Sequence, residues 1–120
     1  MKVISVRQPW AWLIIHGGKD IENRNWKTKH RGPILIHASK TIDDSAWVDM
    51  IVDGVKLPYI KDLDLGAIIG SANITDVVTE SKSKWFKGKY GLVLINQTPL
   101  RNPIPFKGLP GIFNYEGNPW

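Results

Sequence analysis

The chain has 120 residues, a formal net charge of +5 and no cysteine. The length points to one domain over residues 1–120, and the missing cysteines exclude a disulfide scaffold, a thiol nucleophile and a Cys-ligated metal centre. Apolar runs such as Leu13-Ile14-Ile15 are far too short to cross a bilayer, and residues 1–7 lack the apolar stretch of a signal peptide, so a cytoplasmic protein without membrane contact is expected.

The charge is unevenly spread. Residues 1–40 carry eight basic and two acidic side chains, a net of +6. Residues 41–80 reverse this to −6, and residues 81–120 return to +5. If the two basic ends meet in the fold they form one positive face, which suits a polyanion.

In chain order, Lys2-Val3-Ile4-Ser5-Val6 reads as a strand. Arg7-Gln8-Pro9 opens a helix with proline in its first turn. Trp10 to His16 is apolar nearly all round, which predicts a buried helix stopped by Gly17-Gly18. Asp20 to Trp26 alternates loosely as a strand would. Arg31-Gly32-Pro33 is a turn, and Ile34 to Ala38 is a β-branched strand. Thr41-Ile42-Asp43-Asp44 has the spacing of a helix capping box, and Ala46, Trp47, Met50 and Ile51 follow on one helical face up to Gly54. A second helix is therefore expected there, followed by a loop over 55–65. Leu65 to Val78 is β-rich, with Gly66 and Gly70 as bends or bulges. Lys82 to Gly88 is a basic loop and Tyr90 to Ile95 a buried strand. Pro99, Pro103, Pro105 and Pro110 break the tail, leaving only short pieces such as Ile112 to Tyr115 to pair. Five to seven strands and two helices give an α+β, mainly β, fold: a small, partly open barrel with flanking helices.

Four stretches carry groups capable of chemistry. In Gly18 to Arg24 an extended chain places Glu22 and Arg24 on one face, with Lys19 beside two glycines. Arg24 can grip a phosphate or base edge, Glu22 can orient it or act as a base, and Lys19 can become a base or nucleophile if desolvated. The competing expectation is a solvated ion-pair cluster. In Ser5 to Trp10 a strand meets a helix, where Arg7 and Gln8 can contact a nucleotide; alternatively Gln8 caps the helix and Trp10 is core. Ile36 to Lys40 ends a strand with His37, Ser39 and Lys40, side chains that equally well satisfy local backbone groups. His16, His30 and His37 lack metal-ligand spacing, so neither a metal site nor a cofactor is expected. In Lys82 to Tyr90, Lys87 and Lys89 flank aromatics in a pattern suited to phosphate contacts and base stacking by Trp85; the alternative is that Trp85 plugs the barrel.

The ordered set Ile4-Ser5-Val6-Arg7-Gln8-Pro9-Trp10-Ala11, Gly18 to Arg24, and Gly32 to Lys40 resembles the ASCH (activating signal cointegrator homology) domain family. Gly18, Lys19, Glu22 and Arg24 match its G-x-K-x-x-E-x-R motif, and Trp85, Lys89-Tyr90-Gly91 and Pro103 to Gly108 resemble segments of small bacterial and phage members. The resemblance covers nearly the whole chain. It implies a PUA-like fold with a cleft lined by the motif. It also implies binding of RNA or a modified nucleobase, and with the stretches above this makes Arg7, Gln8, Lys19, Glu22, Arg24, Ser39, Lys40, Trp85, Lys87 and Lys89 the candidate binding residues.

Some relatives are described as ribonucleases, others as amidohydrolases acting on acylated cytidine through the motif lysine. A small metal-independent ribonuclease is thus the alternative to simple binding: Lys19 acts as a base or stabilises a pentavalent phosphate, Arg24 assists, and His37 or Tyr90 is the proton donor, with Lys19 and Glu22 the candidate catalytic residues. The amidohydrolase ranks last, because Glu22 stands where that group carries threonine; only Ser5 or Ser39 offers a hydroxyl instead. A protein–protein adaptor is the reading from another class. A monomer is expected.

Overall fold

The computed structural model describes residues 1–120. Eight strands and one α-helix follow one another as β1 (Lys2–Gln8), α1 (Trp10–His16), β2 (Ile21–Arg24), β3 (Gly32–Ile42), β4 (Ile51–Val52), β5 (Val55–Lys56), β6 (Ala67–Val78), β7 (Tyr90–Pro105) and β8 (Ile112–Asn114). Six strands form one sheet in the order β2-β7-β6-β3-β1-β8, and β4 pairs only with β5. Only the β1–β3 pair is parallel, with Ile4 opposite Ile36. The edges β2 and β8 do not pair, so the curved sheet is a partly open barrel, as the sequence implied. The radius of gyration is 13.4 Å, and no helix is long and apolar enough to cross a membrane.

The run Ile34 to Ala38 is buried throughout because both faces of β3 are covered. Ile34, Ile36 and Ala38 join Ile4, Val6 and the α1 residues Ala11, Ile14 and Ile15 in the main core. Leu35 points the other way, to Val3, Ile68, Leu100 and Phe113. Each fully buried Ile or Leu contributes about 1.5–3 kcal/mol relative to exposure, so α1 is held by packing on the sheet rather than by its own two turns.

Two expectations are corrected. The second helix is absent. Thr41 and Ile42 complete β3, and Ile42 pairs with Gln8. Thr41, the expected cap, is thereby held in the strand, and Asp43 accepts from Ser45 Oγ and Trp10 Nε1. A single 3₁₀ turn, Asp44–Trp47, remains. The chain then forms the β4–β5 hairpin, with φ of 47° at Asp53 and 85° at Gly54. Asp-Gly between Ile51-Val52 and Val55-Lys56 is a two-residue hairpin signature, and it outweighed the helical spacing.

The proline-rich tail is also more regular than expected. β7 continues to Pro105. Its pairing with β6 advances from Pro99 opposite Gly70 to Ile104 opposite Ile68. Residues 100–103 therefore bulge, and Pro103, which has no N–H for the ladder, falls inside the bulge.

Candidate functional site

A cleft of about 720 Å³ opens where the C-terminal half of β1, β2 and the start of α1 approach the hairpin and the 109–111 segment. Its floor is Lys19, Glu22 and Arg24. Gly18, at φ 77°, turns the chain from α1 into β2, and the Lys19 amide donates back to Leu13 O at 3.1 Å. This turn sends the Lys19 side chain inward, where the residue is 3% exposed. Its Nζ donates to Ile21 O and lies 3.5 Å from Glu22 Oε1. Glu22 Oε2 accepts from Arg24 Nε at 2.9 Å and faces Arg24 Nη2 at the same distance. Arg24 Nη2 also donates to Ser5 O at 2.7 Å. The i, i+2 spacing of an extended strand puts the carboxylate and guanidinium on one face, as expected.

Each oxygen of the carboxylate is engaged by a cation, Oε1 by Lys19 and Oε2 by Arg24. One Lys19 proton and the Arg24 Nη1 protons have no protein acceptor, so the floor is an array of donors. Trp10 and Trp26 are half-buried walls. Lys19 Nζ sits 6.0 Å from the Trp10 ring, and the Arg24 guanidinium 5.6 Å from the Trp26 ring.

Burial holds the Lys19 ammonium below its ordinary 10.5; the Glu22 charge and hydrogen bond partly oppose this, and Arg24 adds to it. In the window between the folded value and 10.5, the folded state binds fewer protons than the unfolded state. Stability conferred through this group therefore rises with pH across that window. Denaturant unfolding from pH 7 upward is expected to show this rise, and Lys19→Met is expected to flatten it. An unchanged slope in the variant would assign the rise to other groups.

Asp43 lies at the cleft rim with its carboxyl held below the usual range. The largest cause is the Ser45 hydroxyl, and the Trp10 indole and the Arg7 charge act in the same direction against desolvation. Its contribution to stability is present above 3.8 and is lost as pH falls through the folded value.

The structure sorts the other expected residues. Arg7 and Lys87 are exposed at the rim, and Ser39 lines the cleft wall. Lys40 lines a neighbouring groove. Three expectations are corrected. Gln8 is 1% exposed and lies outside the cleft: Oε1 accepts the Trp12 amide at 2.9 Å and Nε2 donates to Asp64 O at 3.1 Å. It caps α1, using a donor that an anion would otherwise take. Lys89 is exposed away from the cleft, 5.5 Å from the Tyr90 ring, and Tyr90 lines neither cavity. Trp85 is 4% exposed, packed among Leu13, Ile21 and Leu57. It forms part of the cleft wall without offering a free face for stacking.

Trp26 and Asp43 were missed. Trp26 stands two residues beyond Arg24, so the same alternation that paired Glu22 with Arg24 could have found it. Along the chain Asp43 reads only as part of the first turn of the expected second helix, and it is the contact with Trp10 across 33 residues that brings it to the cleft.

His37 is buried in the wall of the neighbouring groove. Its Nε2 lies 2.6 Å from Phe106 O, which can only accept, so Nε2 carries a proton. In the neutral ring Nδ1 then accepts from Ser5 Oγ at 2.9 Å. Ser5 lines both the cleft and the neighbouring groove.

The ASCH domain model matches residues 4–108. The chain is 28% identical over 130 residues to human activating signal cointegrator 1 and 23% identical over 127 residues to the mouse protein. In both cases the match covers 94% of this chain but only 22% of the relative, so the chain spans about a fifth of the length of these proteins. A crystal structure of ASCH from Zymomonas mobilis superposes with a TM-score of 0.59 at 17% identity, covering 93% of this chain and 85% of that one. A crystal structure of a tyrosine-to-phenylalanine mutant of the same protein gives 0.58 at 17% identity, covering 93% and 87%. At this identity the likeness concerns the fold.

Proposed function

The chain belongs to the ASCH domain family, and from that premise we propose that it is a nucleotide-binding domain over 1–120 whose cleft holds a base of RNA or a modified nucleobase. The observation that carries this reading is the convergence of Lys19, Glu22 and Arg24 beneath two half-buried tryptophans. A donor-lined floor suits the carbonyl oxygens of a base, and aromatic walls suit its faces. The cleft volume falls within the roughly 300–1,000 Å³ of small-ligand sites. The lining carries Arg7, Lys19 and Arg24 from the first third of the chain and Lys87 from the last, against Glu22 and the acidic-middle residues Asp43 and Asp53, so cationic groups outnumber anionic ones by one. A protein–protein adaptor would rest on a flat apolar patch, and this polar, concave site favours a nucleotide instead.

Titration with short single-stranded RNA across a salt series tests the proposal. Affinity is expected to fall as salt rises. Arg24→Ala, which removes both the donor fork and the partner of Glu22, is expected to weaken binding at least about tenfold, or about 1.4 kcal/mol. No binding at low salt, or binding indifferent to salt and to Arg24, would overturn it.

The lowered Lys19 pKa and the Ser5–His37 pair favour a second reading, hydrolysis of the bound ligand. Ser5 supplies the hydroxyl that the Glu22 position lacks. Acetate release from N4-acetylcytidine and cleavage of labelled single-stranded RNA distinguish the amidohydrolase from the ribonuclease. Either activity is expected to vanish in Lys19→Ala; turnover that survives this substitution belongs to a contaminant.

A further inference from the structure

A second groove lies beside the cleft, between the end of β3 and the segment that follows β7. We propose that this groove is a phosphate subsite, so that the ligand is a phosphorylated nucleotide or an oligonucleotide rather than a free nucleobase. The inference deepens the base-binding reading and rests on it for the adjoining cleft.

The groove measures about 770 Å³ and carries Lys40 and Lys107 with the hydroxyls of Ser39 and Thr41, and no Asp or Glu lines it. Neither lysine has a carboxylate within ion-pair distance, so both charges are uncompensated by the protein. The Lys40 stem lies across Gly66, where an added Cβ would sit 3.0 Å from Lys40 Cε and 3.1 Å from Cγ. Gly66 also has a φ of 66°. Glycine here serves two purposes: it permits the left-handed turn, and it gives the lysine stem a flat bed. A stem so confined loses less freedom on binding than a free surface lysine.

The opposite wall is fixed as well. Phe106 N donates to Gly66 O at 3.0 Å, and His37 Nε2 donates to Phe106 O at 2.6 Å. Gly108 crosses above Ser5 and His37 so closely that a Cβ would sit 2.8 Å from Ser5 Oγ and from His37 Cε1. The Ser39 hydroxyl is spent on Thr41 O at 3.1 Å and that of Ser5 on His37, so the two ammonium groups, with the Thr41 hydroxyl beside them, are the donors left for a phosphate. Ser5, Ser39, Leu109 and Pro110 line both cavities, so a group in the groove is the immediate neighbour of a base in the cleft. That is the relation between a base and its own or an adjacent backbone phosphate.

The test compares a nucleoside, its 5′-monophosphate and a short single-stranded RNA by tryptophan fluorescence, using the intact chain and the double variant Lys40→Ala/Lys107→Ala. Both lysines are exposed, and circular dichroism with thermal unfolding checks that the variant folds. The intact chain is expected to prefer the phosphorylated ligands by about tenfold or more. The variant is expected to lose that preference, to bind the nucleoside unchanged, and to lower the log-affinity against log-salt slope by about 1.4 for two contacts to a single strand. The monophosphate arm separates a terminal phosphate from a backbone one. Arg24→Ala is expected to weaken nucleoside and RNA by the same factor, leaving the preference intact. A preference that survives in the double variant, or is absent from the intact chain, overturns the subsite. If RNA binds through the two lysines while the nucleoside does not bind at all, the subsite stands and the base-binding reading fails. If nothing binds the intact chain, both fail.

Discussion

Replacing Glu22 by alanine is expected to destabilise the protein by about 3–5 kcal/mol at neutral pH, the usual consequence of removing one partner from a buried ion pair. Glu22 is 7% exposed and is the sole carboxylate paired with both Lys19 and Arg24. Without it, two cations face each other across the cleft floor. The lysine can respond by losing its proton, because the Glu22 charge and hydrogen bond are what oppose the effect of burial. The destabilisation is therefore expected to shrink as pH rises toward the ordinary lysine range. Glu22→Gln keeps an acceptor and should cost less, while losing the charge that holds Lys19 protonated. Urea unfolding of the three proteins at pH 6 and pH 9 checks this. A loss within 1 kcal/mol for Glu22→Ala, or one independent of pH, would mean that water already screens the trio.

Trp85→Ala is expected to cost about 3–5 kcal/mol in stability, in the range for truncating a buried tryptophan. Its indole fills the space between α1, β2 and the residue after the hairpin, against Leu13, Ile21 and Leu57. Asn23 Nδ2 donates to the Trp85 carbonyl at 2.9 Å, and Ser83 Oγ accepts its amide. Affinity measured on the folded fraction should change little. Trp26→Ala should behave in the opposite sense, losing about 1–3 kcal/mol of stacking with a smaller change in stability. Denaturation curves and ligand titrations on the two variants separate the roles. A Trp85→Ala protein of normal stability and lost affinity would restore the stacking role that the sequence suggested.

The motif was legible because its logic is local. A strand alternates its side chains, so Glu22 and Arg24 had to share a face, and the glycines before Lys19 announced the turn that sends it inward. The β-branched run Ile34 to Ala38 likewise declared a strand, and its lack of alternation declared burial on both sides. Residues 41–54 misled because helical spacing and a hairpin signature coexist there. The pairing of Ile42 with Gln8, far back in the chain, decided between them.

By itself the sequence determined the strand-rich architecture, the buried first helix, the separation of charge into basic ends and an acidic middle, and the kinship of the Gly18-to-Arg24 motif. These follow from periodicity and from charges that can be counted. Only the tertiary structure decided which aromatic rings stay open to a ligand, which polar groups are already spent on backbone, and which distant segments share a wall. Read along the chain, Trp85 is the ring marked for stacking, yet packing by α1 covers it, while Trp26 stays half-buried at the cleft. Gln8 looks as fit as Arg7 to hold a ligand until the Trp12 amide and Asp64 carbonyl claim it. Lys40 and Lys107 stand 67 positions apart, and they meet across one groove because β6 and β7 carry the chain back beside the end of β3.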